Sequence, residues 1–103
     1  MVSPTSNAKI QTEIPGPKGQ SLAERRARYV PRGIGTSVPT FAARGKGALL
    51  EDVDGNRYID FAGGIGVLNV GHANAEVVGA IKKQAERFLH TCFSVMMYES
   101  YIE

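Results

Sequence analysis

The sequence predicts a mixed, locally α+β set of small elements: a short helix, a β-hairpin, a glycine-rich loop and an amphipathic helix. Three observations predict it. Asp54-Gly55-Asn56 is a tight-turn signal between two strand-like runs. Ser21-Leu22-Ala23-Glu24 has the S-x-x-E form that starts helices. From Asn74 onward, apolar residues recur at 3–4 spacing. Size bounds what these elements can build. The chain has 103 residues, 12 of them glycine, each of which loses more backbone freedom on folding than other residues do. Residues 1–20 are rich in Pro, Gly, Ser, Thr, Asn, Gln and Lys, so a flexible N-terminus is expected there. The remaining 83 residues would bury only about 60–65% of their extended surface. An incomplete domain is the expectation.

The first helix is expected from Ser21, where the hydroxyl accepts from the Glu24 N–H and the Glu24 carboxylate reaches back to the Ser21 N–H. It should stop near Val30, because Pro31 lacks an N–H and disfavours helical geometry in the residue before it. Gly33 to Pro39 reads as an extended, turn-rich connection, and Phe41 to Arg44 as a short strand. Leu49 to Asp52 and Arg57 to Phe61 then bracket the Asp54-Gly55 turn. A two-residue loop would set Asp52 opposite Arg57 and Leu50 opposite Ile59, matching charge with charge and aliphatic with aliphatic.

After the glycine-rich loop, Asn74 is a good N-cap for a helix from about Ala75 to Phe88. Val77, Val78, Ile81, Ala85, Phe88 and Leu89 form its apolar stripe. Gly79 weakens that helix by about 1 kcal/mol or allows a close approach. Tyr98 to Glu103 looks like the opening of another helix, so the chain stops in mid-element.

Composition excludes several functions. A net charge of +2 does not call for nucleic acid. Arg25, Arg26, Arg28 and Arg32 cluster on and just after the first helix without aromatic partners or a binding motif, which fits a solvated face. One cysteine, Cys92, excludes an internal disulfide and fits a reducing compartment. One cysteine and two distant histidines assemble no metal site. The N-terminus carries no apolar signal-peptide core, and no apolar run reaches the roughly 18–20 residues that span a bilayer. A soluble cytoplasmic chain with no membrane partner is expected.

The glycine-rich loop, Gly63 to His72, invites phosphate chemistry and then fails it. Gly66 to Gly71 has the spacing of a phosphate loop, but His72-Ala73 stand where Lys and Ser or Thr should follow. Gly64-x-Gly66 lacks the third glycine of a dinucleotide fingerprint, Asn69 occupying its place.

Taken together, Glu51-Asp52-Val53-Asp54-Gly55-Asn56-Arg57-Tyr58-Ile59-Asp60-Phe61, then Gly64 and Gly71-His72, resembles the opening hairpin and active-site-edge loop of the class III pyridoxal-phosphate aminotransferases. Single elements of the pattern are common, but the composite over these residues is specific. The likeness extends through Arg32-Gly33-Ile34-Gly35, Pro39, and His90-Thr91-Cys92-Phe93 with Tyr98, and so covers roughly residues 22–103. The His-Thr-Cys-Phe element points toward the 4-aminobutyrate branch.

The resemblance implies an α/β subunit of fold type I, of which residues 21–103 would be the N-terminal part. It implies pyridoxal 5'-phosphate as cofactor, an ω-amino acid and 2-oxoglutarate or glutamate as substrates, and a homodimer. By the same resemblance Ile65 lines the substrate pocket. Ser94 falls where enzymes of this branch often carry glutamine near the substrate, a departure that leaves the donor open. No catalytic or cofactor-binding residue is assigned. Lys9, Lys18, Lys46, Lys82 and Lys83 lack the strand-to-loop setting of a cofactor lysine, so the chain alone is expected to be inactive. His72 and His90 are expected to hydrogen-bond structurally, Cys92 to be buried, and Met96 and Met97 to pack. An ornithine-type relative and a stand-alone, non-catalytic interaction module stay open as alternatives.

Overall fold

The computed structural model describes residues 8–102, which fall into two compact units divided between Ala73 and Asn74. In the first unit, helix α1 spans Pro17–Tyr29. It starts four residues before the expected capping box, leaving Ser21 inside the helix. Pro17 opens it, its φ already suited to a first turn that needs no N–H. The orphan donors that follow find a distant carboxylate. Lys18 N donates to Asp54 Oδ1 and Gly19 N to Asp54 Oδ2, each at 2.8 Å. Asp54 therefore caps the helix from the hairpin turn. The end agrees with expectation, Val30 being extended before Pro31.

Three antiparallel strands follow in the order β1-β2-β3: Ala42–Lys46, Leu49–Asp52 and Arg57–Ile59. The strand expected at Phe41 to Arg44 thus runs on to Lys46 and pairs with β2, Lys46 facing Leu49. The hairpin between β2 and β3 exists, but its register differs by one residue from the expected one. Leu49 faces Ile59, Leu50 faces Tyr58 and Glu51 faces Arg57. The turn explains the slip. Its loop holds three residues, Val53-Asp54-Gly55, with Asp52 N donating to Asn56 O at 2.9 Å. Gly55 takes φ +85°, the left-handed position of a three-residue hairpin loop. A shift of one residue reverses every side chain between faces. Asp52, expected opposite Arg57, instead points inward and is 2% exposed. Arg44 is the cation that meets a carboxylate across the sheet, at 2.8 Å from Glu51.

The inward-facing Asp52 builds a polar centre with Asn56, which is fully buried. Asp52 Oδ1 accepts from the N–H groups of Asp54 and Asn56, and Oδ2 from Thr40 Oγ1, Asn56 Nδ2 and Tyr58 OH, at 2.7–3.0 Å. Asn56 Oδ1 accepts from Gln11 N at 2.7 Å and Thr12 N at 2.9 Å. Lys9 and Arg57 exchange backbone hydrogen bonds at 2.9 and 2.8 Å. Residues 9–20 are therefore held against the hairpin and enter α1, where composition predicts flexibility. The rest of that expectation, residues 1–7, lies outside the described residues.

In the second unit, helix α3 spans Ala75–Ala85, numbered after a single turn, α2, at Gly63–Gly66. Asn74 caps α3 as expected, its Oδ1 accepting from Glu76 N at 3.0 Å and Val77 N at 3.2 Å. The helix ends three residues before Phe88, where Arg87 N turns to Gln84 O in an i→i−3 bond that tightens the last turn and Phe88 N shares the same carbonyl. Phe88, Phe93, Tyr98 and Tyr101 then cluster, three ring pairs edge to face and Phe93–Tyr101 tilted, with ring centres 4.8–6.1 Å apart. The helix expected from Tyr98 is a single 3-10 turn, Glu99–Tyr101, within the described residues.

Three packing expectations fail in this unit. Cys92 is exposed, because its φ of +57° starts a reversal in which Val95 N and Met96 N both donate to Cys92 O. Met96 and Met97, carried outward by that reversal, are exposed as well.

Candidate functional site

The loop between Asp60 and His72 carries the first candidate residue, Ile65. Strand β3 stops at Ile59, short of the expected Phe61; Asp60 N still bonds in register to Ala48 O at 2.8 Å, and the chain turns after it. Asp60 then folds the loop over its own carboxylate. Its Oδ1 accepts from Ala62 N at 2.9 Å and Gly63 N at 3.0 Å, the local bonding that makes aspartate a turn former. In α2, Gly63, Gly64, Ile65 and Gly66 all have positive φ, Ile65 at +59°. A β-branched residue in that region is a genuine outlier, worth reading as a functional hint. Ile65 is also 91% exposed, so its side chain stands out from the loop tip.

The loop closes at His72. His72 N donates to Gly47 O at 2.8 Å, and Gly47 N to His72 O at 2.9 Å. Two glycines make this closure possible. Gly71 has φ +82°, and a Cβ there would lie 2.9 Å from the Gly47 backbone. At Gly45 a Cβ would lie 2.7 Å from the His72 ring, which fills that space. The ring so placed reaches Asp60, Nε2 to Oδ2 at 2.6 Å. This bond first, and the Gly63 N–H after it, holds the Asp60 carboxyl below the ordinary aspartate range. His72 thus has the structural hydrogen bond expected of it. Its partner Asp60 was expected within the strand Arg57 to Phe61, and nothing in the spacing from Asp60 to His72 announces a pair.

Ser94, the second candidate, belongs to the second unit. It is exposed in the reversal that follows Cys92, which Thr91 Oγ1 braces by donating to Met96 O at 2.9 Å. Each candidate is placed within its own unit, Ile65 at a loop tip and Ser94 on a turn.

Pyridoxal phosphate needs a lysine desolvated in a pocket and a cradle for its phosphate. Lys9, Lys18, Lys46, Lys82 and Lys83 are all exposed. The described residues do not fit the cofactor, and none of them is assigned a catalytic step. A hollow of about 380 Å³ on the sheet face, lined by Val38, Leu50, Tyr58, Ile59 and Phe61 among others, contains neither candidate residue. Among the described residues no helix is long and apolar enough to cross a membrane.

Comparison with known proteins adds what the geometry lacks. A family profile described as "Aminotransferase class-III" matches residues 30–103. The chain is 46% identical over 102 residues to a "4-aminobutyrate aminotransferase" of Mycobacterium tuberculosis, covering 99% of this chain and 23% of the relative. It is 49% identical over 84 residues to a "5-aminovalerate aminotransferase" of Pseudomonas aeruginosa, covering 82% of this chain and 20% of that protein. In three dimensions it resembles an omega-transaminase from Sphaerobacter thermophilus, with TM-score 0.66 and 31% identity over 76% of this chain and 19% of that one. The chain therefore spans about a quarter or less of the length of these relatives.

Proposed function

Since the chain belongs to the class III aminotransferases, a family that depends on pyridoxal phosphate, we propose that it is the N-terminal part of an ω-amino acid aminotransferase. Its preferred donor in this reading is 4-aminobutyrate, with 2-oxoglutarate as the acceptor. The observation that carries the reading is the 46% identity across nearly the whole chain to a relative of that name.

Within the reading, the described residues shape the edge of the site while other parts of the subunit perform the chemistry. Ile65 presents an apolar wall to the aliphatic chain of the donor, and its stiff branched side chain narrows that path. Ser94 lies near the substrate. A homodimer in the cytoplasm completes the proposal, and the free thiol of Cys92 is compatible with that compartment. A second reading takes 5-aminovalerate, one methylene longer, as donor, favoured by the 49% identical relative of that name. One methylene in an apolar pocket discriminates by only about 1–3 kcal/mol.

The test is steady-state kinetics of the complete holoenzyme carrying this sequence, with 2-oxoglutarate as acceptor. 4-Aminobutyrate should give the highest kcat/KM among 4-aminobutyrate, 5-aminovalerate and ornithine. A higher value for 5-aminovalerate selects the second reading, and turnover of ornithine alone rejects both.

A further inference from the structure

We infer that Asp60 and His72 are positioning residues that latch the base of the 61–71 loop and thereby hold Ile65 at its tip. The inference rests on the reading of Ile65 as a wall of the substrate path, and it adds residues which that reading leaves unassigned.

Within this chain the tip is braced by short backbone bonds, Ile65 N donating to Ala62 O at 2.8 Å and Val67 N and Leu68 N to Gly63 O at 3.1 and 3.0 Å. Among the described residues side-chain packing adds little, Ile65, Val67 and Val70 being 91%, 70% and 61% exposed. Yet Ile65 keeps φ +59°, which a β-branched residue holds only where its surroundings impose it. The restraint that ties both ends of the loop together is at the base. One carboxylate serves both ends of the loop, Oδ1 binding the outgoing Ala62 and Gly63 N–H groups and Oδ2 binding the returning His72 ring. The ring is fixed in turn by its backbone pair with Gly47 and by the space that Gly45 leaves for it. At 2.6 Å, with the Asp60 and His72 side chains 7% and 21% exposed, the pair is shielded from competing water.

If the pair is removed, the outgoing turn and the returning strand are coupled only through the backbone. The loop then samples other conformations, and Ile65 leaves its left-handed position. A donor must restore the loop on binding, so the loss falls on KM more than on kcat.

The experiment compares His72→Leu, which keeps bulk but loses the bond, with His72→Gln, whose side-chain amide can reach the position of Nε2. Both are made in the complete holoenzyme. Hydrogen exchange of the amides at 62–66 should rise roughly 5- to 10-fold in His72→Leu, the net effect of one hydrogen bond. The same variant should raise KM for 4-aminobutyrate by about 5-fold or more with little change in kcat, and His72→Gln should recover most of both effects. Asp60→Ala is the second variant, for the case in which His72→Leu fails to fold. It removes the acceptor for both ends and should raise exchange at 62–66 and at 68–72 alike.

Unchanged exchange in His72→Leu, or a glutamine variant no better than leucine, overturns the latch. So does unchanged exchange at 62–66 and 68–72 in Asp60→Ala. Exchange requires no substrate, so the two readings separate. A wild-type enzyme inactive on every ω-amino acid, with loop exchange responding as stated, rejects the substrate reading and retains the latch.

Discussion

Asp52 and Ile65 are each held in a costly state, one buried and charged, the other in a strained backbone. Burial alone would raise the Asp52 pKa. The hydrogen bonds from Asn56, Tyr58 and Thr40 outweigh it and bring the value down to about 2. Tyr58 moves the opposite way, to about 12, because burial and its bond to Asp52 both favour the neutral phenol. The signs follow by linkage. A depressed carboxyl stabilises the fold above its unfolded value near 4, and that contribution is lost as pH falls toward about 2. A raised phenol stabilises it below the unfolded value near 10, and that contribution is lost as pH rises toward about 12. Denaturant unfolding of Tyr58→Phe against wild type should therefore show a difference that changes above about pH 10 and is flat from about pH 5 to 9. A difference that varies through neutral pH would contradict this assignment. At Ile65 the strain itself is testable. Ile65→Gly removes the Cβ conflict at positive φ and should raise stability by about 1 kcal/mol, while lowering kcat/KM for the ω-amino donor. Lower stability would mean that the loop is not strained at this residue.

At the scale of elements, sequence and structure agree where a signal and its consequence are neighbours in the chain. Asn74 caps α3 two and three residues onward, and Pro31 stops α1 one residue before itself. Both were legible. The start of α1 was not, because its cap comes from Asp54, 35 residues from Gly19, across the first unit. The hairpin was legible as a hairpin, and its register was not. Asp54-Gly55 fits a two-residue loop as readily as a three-residue one, and only the burial of Asp52 separates the two. Ile65 is a site residue only by resemblance, and the Asp60–His72 closure depends on loop geometry that no spacing encodes. The cap gives a sharp test. Asp54→Ala should cost about 1–2 kcal/mol by uncovering Lys18 N and Gly19 N, whereas Ser21→Ala, inside the helix, should fall within about 0.5 kcal/mol of wild type. Paired thermal melts in the complete protein decide it, and a larger loss at Ser21 would return the helix start to the capping box.

Across the whole molecule, no apolar side chain among the described residues is fully buried, and the buried positions that carry side chains are polar. Phe61, Ile65, Leu89 and Val95 are all more than four-fifths exposed. A domain built on hydrophobic burial needs more apolar contact than this. A chain that spans 23% of the length of its mycobacterial relative accordingly acquires its proposed function only within a larger subunit. In the proposed reading it contributes shape at the edge of a site: a hairpin knotted by Asp52 and Asn56, and a loop that presents Ile65.

The measurement that tests this most directly is kcat/KM of the complete holoenzyme and its Ile65→Tyr variant with 4-aminobutyrate and with glutamate. Added bulk and a hydroxyl at the loop tip should lower the value for 4-aminobutyrate about 10-fold or more, on the order of 1.4 kcal/mol, and lower that for glutamate less. Equal losses for both donors would mean a general disturbance of the loop, and would remove Ile65 from the substrate path.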